Sequence, residues 1–108
     1  MRRMATRREY MYYIATCFEA LGAEVSYRPM MGEYVLYYRD KVVGGVYDNR
    51  LLLKPVDVAC ELLPEAPRLS PYPGAQALLL VENTDDTALL ARLLPAMYPQ
   101  LPAARKKR

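Results

Sequence analysis

Few residues in this chain have the types and spacing that covalent or acid–base chemistry needs. There is no histidine to move protons near neutral pH, and no serine or cysteine stands beside a plausible base. Cys17 and Cys60 each sit among apolar neighbours, Ile14 and Phe18 for the first, Val58 and Leu62 for the second. They read as free, buried small hydrophobes, and two thiols without histidine fall short of a four-ligand zinc site. Asp85-Asp86 are adjacent carboxylates at the start of an apolar-periodic segment, which is the place of a helix cap rather than of a metal or an acid/base pair. Gly44-Gly45 lies inside a strand pattern and lacks the Gly-x-Gly-x-x-Gly turn that cradles phosphate. The glycines are expected to make room for a helix crossing closely or for a neighbouring tyrosine ring. The expectation is a protein that is not an enzyme and holds no metal and no cofactor.

Contact chemistry is better represented. Ten tyrosines and one phenylalanine supply the aromatic content, and residues 27–54 hold five of those tyrosines with three of the five glycines. Charge is divided between the ends and the body. Arg2, Arg3, Arg7 and Arg8 with Arg105, Lys106, Lys107 and Arg108 account for eight of fifteen cations, so residues 9–104 carry seven cations against twelve anions, a net of −5. The basic ends are candidate nucleic-acid contacts of a salt-sensitive, unspecific kind. Tyrosine and arginine together also suit a small anion.

These residues must be positioned by a single domain, since 108 residues fall in the ordinary size range for one core. Thr6-Arg7-Arg8-Glu9 has the form of a capping box, followed by a stripe of Tyr10, Tyr13, Ile14, Cys17, Phe18 and Leu21 that leaves Met11 and Tyr12 off the core side. Gly22 is the expected helix stop. Four strands follow, at 24–28, 33–39, 42–47 and 50–54, the last two joined by a tight Asp48-Asn49 turn. Pro29 confines the first strand to an edge or ends it. The second strand is apolar on both faces, with Tyr34, Leu36 and Tyr38 on one side and Val35 and Tyr37 on the other. A short helix begins at Pro55 and stops at Pro64, and prolines 64, 67, 71 and 73 mark a surface connector with PxxP-like spacing. Residues 75–81 form a fifth strand. A last helix carries Leu89, Leu90, Leu93 and Leu94 up to a break or kink at Pro95, and its LxxLL spacing is that of a helix docking on its own sheet. The reading is an α+β fold in the order α-β-β-β-β-α-β-α, with a domain over 6–98 between flexible basic ends at 1–5 and 99–108. No apolar run reaches membrane-spanning length and no signal peptide is evident, which predicts a cytoplasmic protein with no membrane partner.

Arg28-Pro29-Met30-Met31-Gly32-Glu33-Tyr34-Val35-Leu36-Tyr37-Tyr38, then Asp40-Lys41-Val42 and Asp48-Asn49-Arg50-Leu51-Leu52-Leu53-Lys54, resembles the N-terminal domain of TfoX/Sxy, the bacterial competence regulators. The family pattern runs R-x-M-F-G-G-x-G-L-Y, D-G-K and D-x-R-L-Y-L-K, and the similarity spans roughly residues 6–98. Met31 stands where phenylalanine is usual, and Glu33 and Val35 replace glycines. The resemblance implies a two-layer sandwich of helices on an antiparallel sheet of about five strands, similar to secretion-chaperone-like folds, without catalytic residues. It also implies a stand-alone version of a domain found in transcriptional coregulators.

Three helices do not readily cover both faces of such a sheet, so part of the apolar strand at 33–39 is expected to meet another chain. Tyr34, Val35, Tyr37 and Tyr47 are the candidate interface residues. The functional expectation is a non-enzymatic protein-interaction module, homodimeric or bound to a protein partner, related to competence regulators. The alternative is a nucleic-acid-associated protein working through its basic ends, and a weaker one is a small-anion binder.

Overall fold

A computed structural model describes residues 5–103 of the chain. Six strands make one antiparallel sheet in the order β1-β2-β3-β4-β6-β5: β1 (Val25–Met30), β2 (Glu33–Tyr38), β3 (Lys41–Tyr47), β4 (Arg50–Leu53), β5 (Arg68–Leu69) and β6 (Leu78–Val81). Helices α1 (Arg8–Cys17), α2 (Asp57–Leu62) and α3 (Thr87–Met97), with 3-10 turns at Glu19–Glu24 and Tyr98–Gln100, complete an α+β two-layer sandwich. The expected five strands become six because β5, two residues long, pairs with β6 from inside the proline-rich connector.

Register decides which residues share a face. Tyr34, Val46, Leu51 and Val81 are aligned across four strands, and so are Leu36, Gly44, Leu53 and Leu79. These rows meet Met11, Ile14 and Phe18 of the α1 segment, Ala59 of α2 and Leu90, Leu93, Leu94 and Met97 of α3 in one apolar core. The helices therefore lie on one side of the sheet. All three leucines of the LxxLL segment are fully buried in their own fold.

The N-terminal helix differs from its expected form. Met11 is fully buried, whereas Tyr13 is 42% exposed and directs its hydroxyl to Thr84 Oγ1 at 2.7 Å. The core stripe runs through 11, 14, 17 and 18, so Ile14, Cys17 and Phe18 lie where the pattern put them, with Tyr10 and Leu21 packed partly buried against them. Met11 is in the core and Tyr13 is not, because a tyrosine satisfies its hydroxyl most easily at a helix margin. The Thr6 capping box is absent. Arg7 is the N-cap and makes no side-chain cap, since Thr6 is buried and its Oγ1 lies 2.7 Å from Glu33 Oε1. A charge-assisted bond to a buried carboxylate outcompetes a neutral cap. Helix α1 stops at Cys17, and Gly22 takes its positive φ of 59° inside the following 3-10 turn.

Further along, Pro55 precedes α2 rather than opening it, and Gln100 Oε1 accepts from Val58 N at 2.8 Å to satisfy one free amide of that helix start. Asp86 caps α3 as its position suggested, its Oδ1 accepting from Leu89 N. Pro95 does not end α3, which continues to Met97. Packing also runs past residue 98, where Leu101 is buried in the core. Pro29 sits inside β1, and β1 is an edge strand, the one position in a sheet where proline is readily tolerated.

Candidate interaction surface

The face of the sheet turned away from the helices is built from the other alternate residues. Arg28, Val35, Gly45, Leu52 and Leu80 form a continuous row across five strands, each paired with the next. Ser26, Tyr37 and Val42 make a second row, while Met30 pairs with Glu33 and Tyr47 with Arg50 at the other end. A one-residue irregularity in β3, between the partners of Leu36 and Tyr37, adds Val43 to the core while keeping Val42 beside Tyr37 on the outer face.

Both central glycines have a steric cause. A Cβ on Gly45 would lie 2.5 Å from the Tyr47 ring and from the Tyr34 carbonyl, so Tyr47 folds back over Gly45 on the outer face. A Cβ on Gly44 would lie 2.0 Å from the Leu52 carbonyl, where the β4 backbone approaches. A neighbouring tyrosine ring, one of the two readings of the sequence, thus accounts for one glycine, and close backbone approach accounts for the other.

Among the described residues no helix covers this outer face, and what does cover it is partial. The connector after β5 forms a strap over residues 70–77, closed on itself by Ser70 Oγ donating to Ala75 O at 2.7 Å and Ala75 N donating to Tyr72 O. Pro71 of the strap is buried and lines a small cavity with Tyr47, Leu52 and Leu69, which leaves Leu52 only 1% exposed. Val35, Tyr37, Val42 and Leu80 stay partly exposed. At the β1–β2 turn, Met30 is 47% and Met31 94% exposed, and Tyr72 of the strap is 48% exposed. These three with Glu33 and Tyr47 enclose a cavity of about 230 Å³. Met31 also has φ of 52°, a left-handed backbone that favours glycine, so an apolar side chain stands in solvent at a strained position.

Polar groups fasten the end of this face. Glu33 is 4% exposed; its Oε1 accepts from Thr6 Oγ1 at 2.7 Å and from Asp48 N at 3.0 Å. Thr6 N donates to Gly32 O, Asn49 N donates to Thr6 Oγ1, and Arg7 N donates to Asn49 Oδ1. The segment before α1 is thereby tied to both hairpin turns. Glu33 therefore closes this corner of the sheet.

The sequence candidates separate. Val35, Tyr37 and Tyr47 share the outer face. Tyr34 does not: it belongs to the helix-covered side, packed edge-on against Tyr27 at 5.7 Å between ring centres. Arg28, Met30, Met31 and Tyr72 join the surface without having been singled out. Alternation along β1 would have found Arg28 and Met30, but nothing local points to Tyr72, which arrives through the strap. Of the basic candidates, Arg7 and Arg8 are exposed at the start of α1. Arg2, Arg3, Arg105, Lys106, Lys107 and Arg108 lie outside the described residues. Cys17 is a buried free thiol, whereas Cys60 is only partly buried and accepts from an Arg68 guanidinium nitrogen at 3.4 Å. Among the described residues, no group of three or more His, Cys, Asp or Glu side chains forms a cluster able to hold a metal ion, and no helix is long and apolar enough to cross a membrane.

Comparison with known proteins finds a relation of sequence. Over 80 aligned residues the chain is 40% identical to the "Uncharacterized 12.7 kDa protein in trpE 5'region" of Spirochaeta aurantia, covering 66% of this chain and 69% of that protein. The chain belongs to the family of that protein. No family model matches the chain, and no solved structure matches it. The family relation thus carries no activity with it, and the outer face of the sheet is the feature on which a function has to be argued.

Proposed function

We propose that this protein is a non-enzymatic protein-interaction module whose working surface is the outer face of its sheet. One observation carries the reading. Among the described residues the six-stranded sheet packs its helices on one side; the other side leaves Val35 and Tyr37 partly exposed and Met30, Met31 and Tyr72 exposed, the last three lining a cavity with Glu33 and Tyr47. Contiguous apolar and aromatic surface of this kind is characteristic of protein contact, with tyrosine and methionine enriched at its centre. Both sheet edges are poor templates for strand addition, since β1 contains Pro29 and β5 is two residues long, which supports docking on the face. The resemblance of residues 28–54 to TfoX/Sxy extends the reading to coregulation of transcription in the cytoplasm, with any link to DNA made through a partner protein. A second copy of the chain is one occupant such a face admits.

The double variant Val35→Asp with Tyr37→Asp tests the module. Both residues are partly exposed, so the variant is expected to keep the native circular-dichroism spectrum while losing the proteins retained by the immobilised wild type, together with any self-association that the wild type shows in light scattering. Retention of the same partners and the same oligomeric state by a folded variant would sink the proposal.

A further inference from the structure

Charge in this chain is sorted by layer. Of the nine cations among the described residues, Arg28, Arg39, Lys41, Arg50, Lys54 and Arg68 sit on strands or at strand ends, and Arg7, Arg8 and Arg92 belong to the helical layer. Eight of the twelve anions belong to the helices, the 3-10 turn after α1 and their flanks, among them Glu9, Glu19, Glu61 and Asp86. The acidic character of the body is therefore a property of the helical layer.

Most of the strand cations are engaged. Lys41 reaches the Tyr98 carbonyl and ring, Arg68 meets Cys60, Arg39 pairs with Glu24 at 3.1 Å and Arg50 with Asp48 at 2.9 Å. Among the described residues no acid pairs with Lys54 or with Arg28; Lys54 is partly buried just past β4, whereas Arg28 is exposed on the outer face beside Val35. With Ser26, Tyr37 and Arg39 it borders an open hollow of about 320 Å³. Two positions along β1, roughly 7 Å away on the same face, Met30 borders the cavity of about 230 Å³ shared with Met31, Tyr47 and Tyr72. An apolar cavity of roughly 150 Å³ is enough for a benzene ring.

We infer that the outer face binds an extended acidic and apolar peptide segment of another protein. One apolar side chain seats between Met30, Met31, Tyr47 and Tyr72, and a carboxylate two residues away pairs with Arg28. This rests on the interaction-module reading and names its occupant. A second copy is less suited. Face to face it would set Arg28-bearing surfaces against each other, and helical layer to outer face it would build a ring or a filament rather than a closed pair. Nucleic acid is less suited too, because polyanion binding draws on several phosphate contacts, and here one unpaired guanidinium faces an apolar surface backed by an acidic layer.

Panning a phage-displayed library of random twelve-residue peptides on the immobilised full chain, then measuring the enriched peptides by fluorescence anisotropy, tests the inference. Enriched peptides are expected to carry Leu, Phe or Met two positions from Asp or Glu, in either order, and to bind more weakly as salt rises. Arg28→Glu should lower their affinity by about tenfold and recover it for peptides whose carboxylate is replaced by lysine, while Arg28→Gln gives an intermediate loss. Absence of acidic enrichment, or affinity unchanged in Arg28→Glu, overturns the inference. If that happens while Val35→Asp with Tyr37→Asp still abolishes association, the module stands and its occupant is a second copy or a partner of other chemistry. If neither responds, both readings fall.

Discussion

The two faces of this sheet are made by the same strands and similar residues, yet they are used differently. On one face Leu36, Val46, Leu51 and Leu53 are fully buried beneath three helices. On the other, the proline-rich strap covers Leu52, and Val35, Tyr37 and Leu80 stay partly exposed. Apolar residues on both sides of a strand thus have two causes here. One face holds the fold together, and the other keeps its apolar surface available. Neighbours on β2 give the sharpest way to break this contrast. Leu36→Ala removes a fully buried side chain from the core and should cost ~2–5 kcal/mol in urea denaturation. Tyr37→Ala, one residue later, should cost less than about 1 kcal/mol. Equal losses would mean that the outer face is a second core and would remove the ground for a docking surface.

Much of this contrast was legible in the sequence, and the limits have physical causes. Strand placement, the Asp48-Asn49 hairpin, the Asp86 cap and the docking of Leu90, Leu93 and Leu94 follow from local rules, because each depends on residues a few positions apart. Alternation also grouped Tyr34 with Leu36 and Tyr38. What alternation leaves open is which face the helices choose, and Tyr34, offered as an interface residue, lies on the chosen side. Thr6 read as a cap because its partner Glu33 is distant in sequence and close only after folding. Met11 was set off the stripe because a methionine among tyrosines gives the periodicity no clear phase. The strap, with Pro71 buried and Tyr72 at the cavity, is a tertiary contact without a local signature. For the same reason the 230 Å³ cavity was invisible before β1, β3 and the strap came together.

A smaller effect is expected where the outer face is closed by polar groups instead of apolar ones. Glu33→Leu leaves the partly buried Asp48 amide without its carboxylate acceptor, whereas Thr6 Oγ1 retains the Val46 carbonyl at 3.2 Å. Orphaning a buried amide costs ~1–3 kcal/mol, and partial burial places this loss at the lower end, about 1 kcal/mol. Glu33→Gln keeps an oxygen in place and should cost less than half as much. Native-state amide exchange reads this directly: faster exchange at Asp48 in Glu33→Leu, with Leu53 in the core unchanged, would mark a local loosening of the hairpin end. Uniform acceleration through β4 would show that Glu33 supports the whole sheet, and the polar corner would then belong with the core.

The smallest effect concerns pH and belongs to the helix-covered side. The Tyr98 hydroxyl donates to Asp40 Oδ1 at 2.5 Å, and Lys41 and Arg39 lie over the Tyr98 ring. That hydrogen bond is the main reason why the Asp40 carboxyl is held below its usual range and the Tyr98 phenol above its own. Burial, then the hydrogen bond to Glu24, raises Tyr38 as well. A lowered carboxyl contributes stability that is complete above the ordinary carboxylate value near ~4 and is lost as pH falls through the lowered one; raised phenols contribute stability that is complete below ~10 and is lost as pH climbs through the raised values. Tyr98→Phe keeps the ring under the two cations and removes only the hydroxyl. Its thermal midpoint should lie slightly below that of the wild type between about pH 5 and 9, and the two should begin to converge below about pH 4 and meet once pH has fallen through the lowered Asp40 value. Because this clasp and the outer face are on opposite sides of β2 and β3, partner association through Tyr37 should be the same in Tyr98→Phe and in the wild type at pH 7. A change in association would mean that the two faces are coupled through the β2–β3 turn, and the sheet could no longer be treated as a rigid wall between a core and a contact surface.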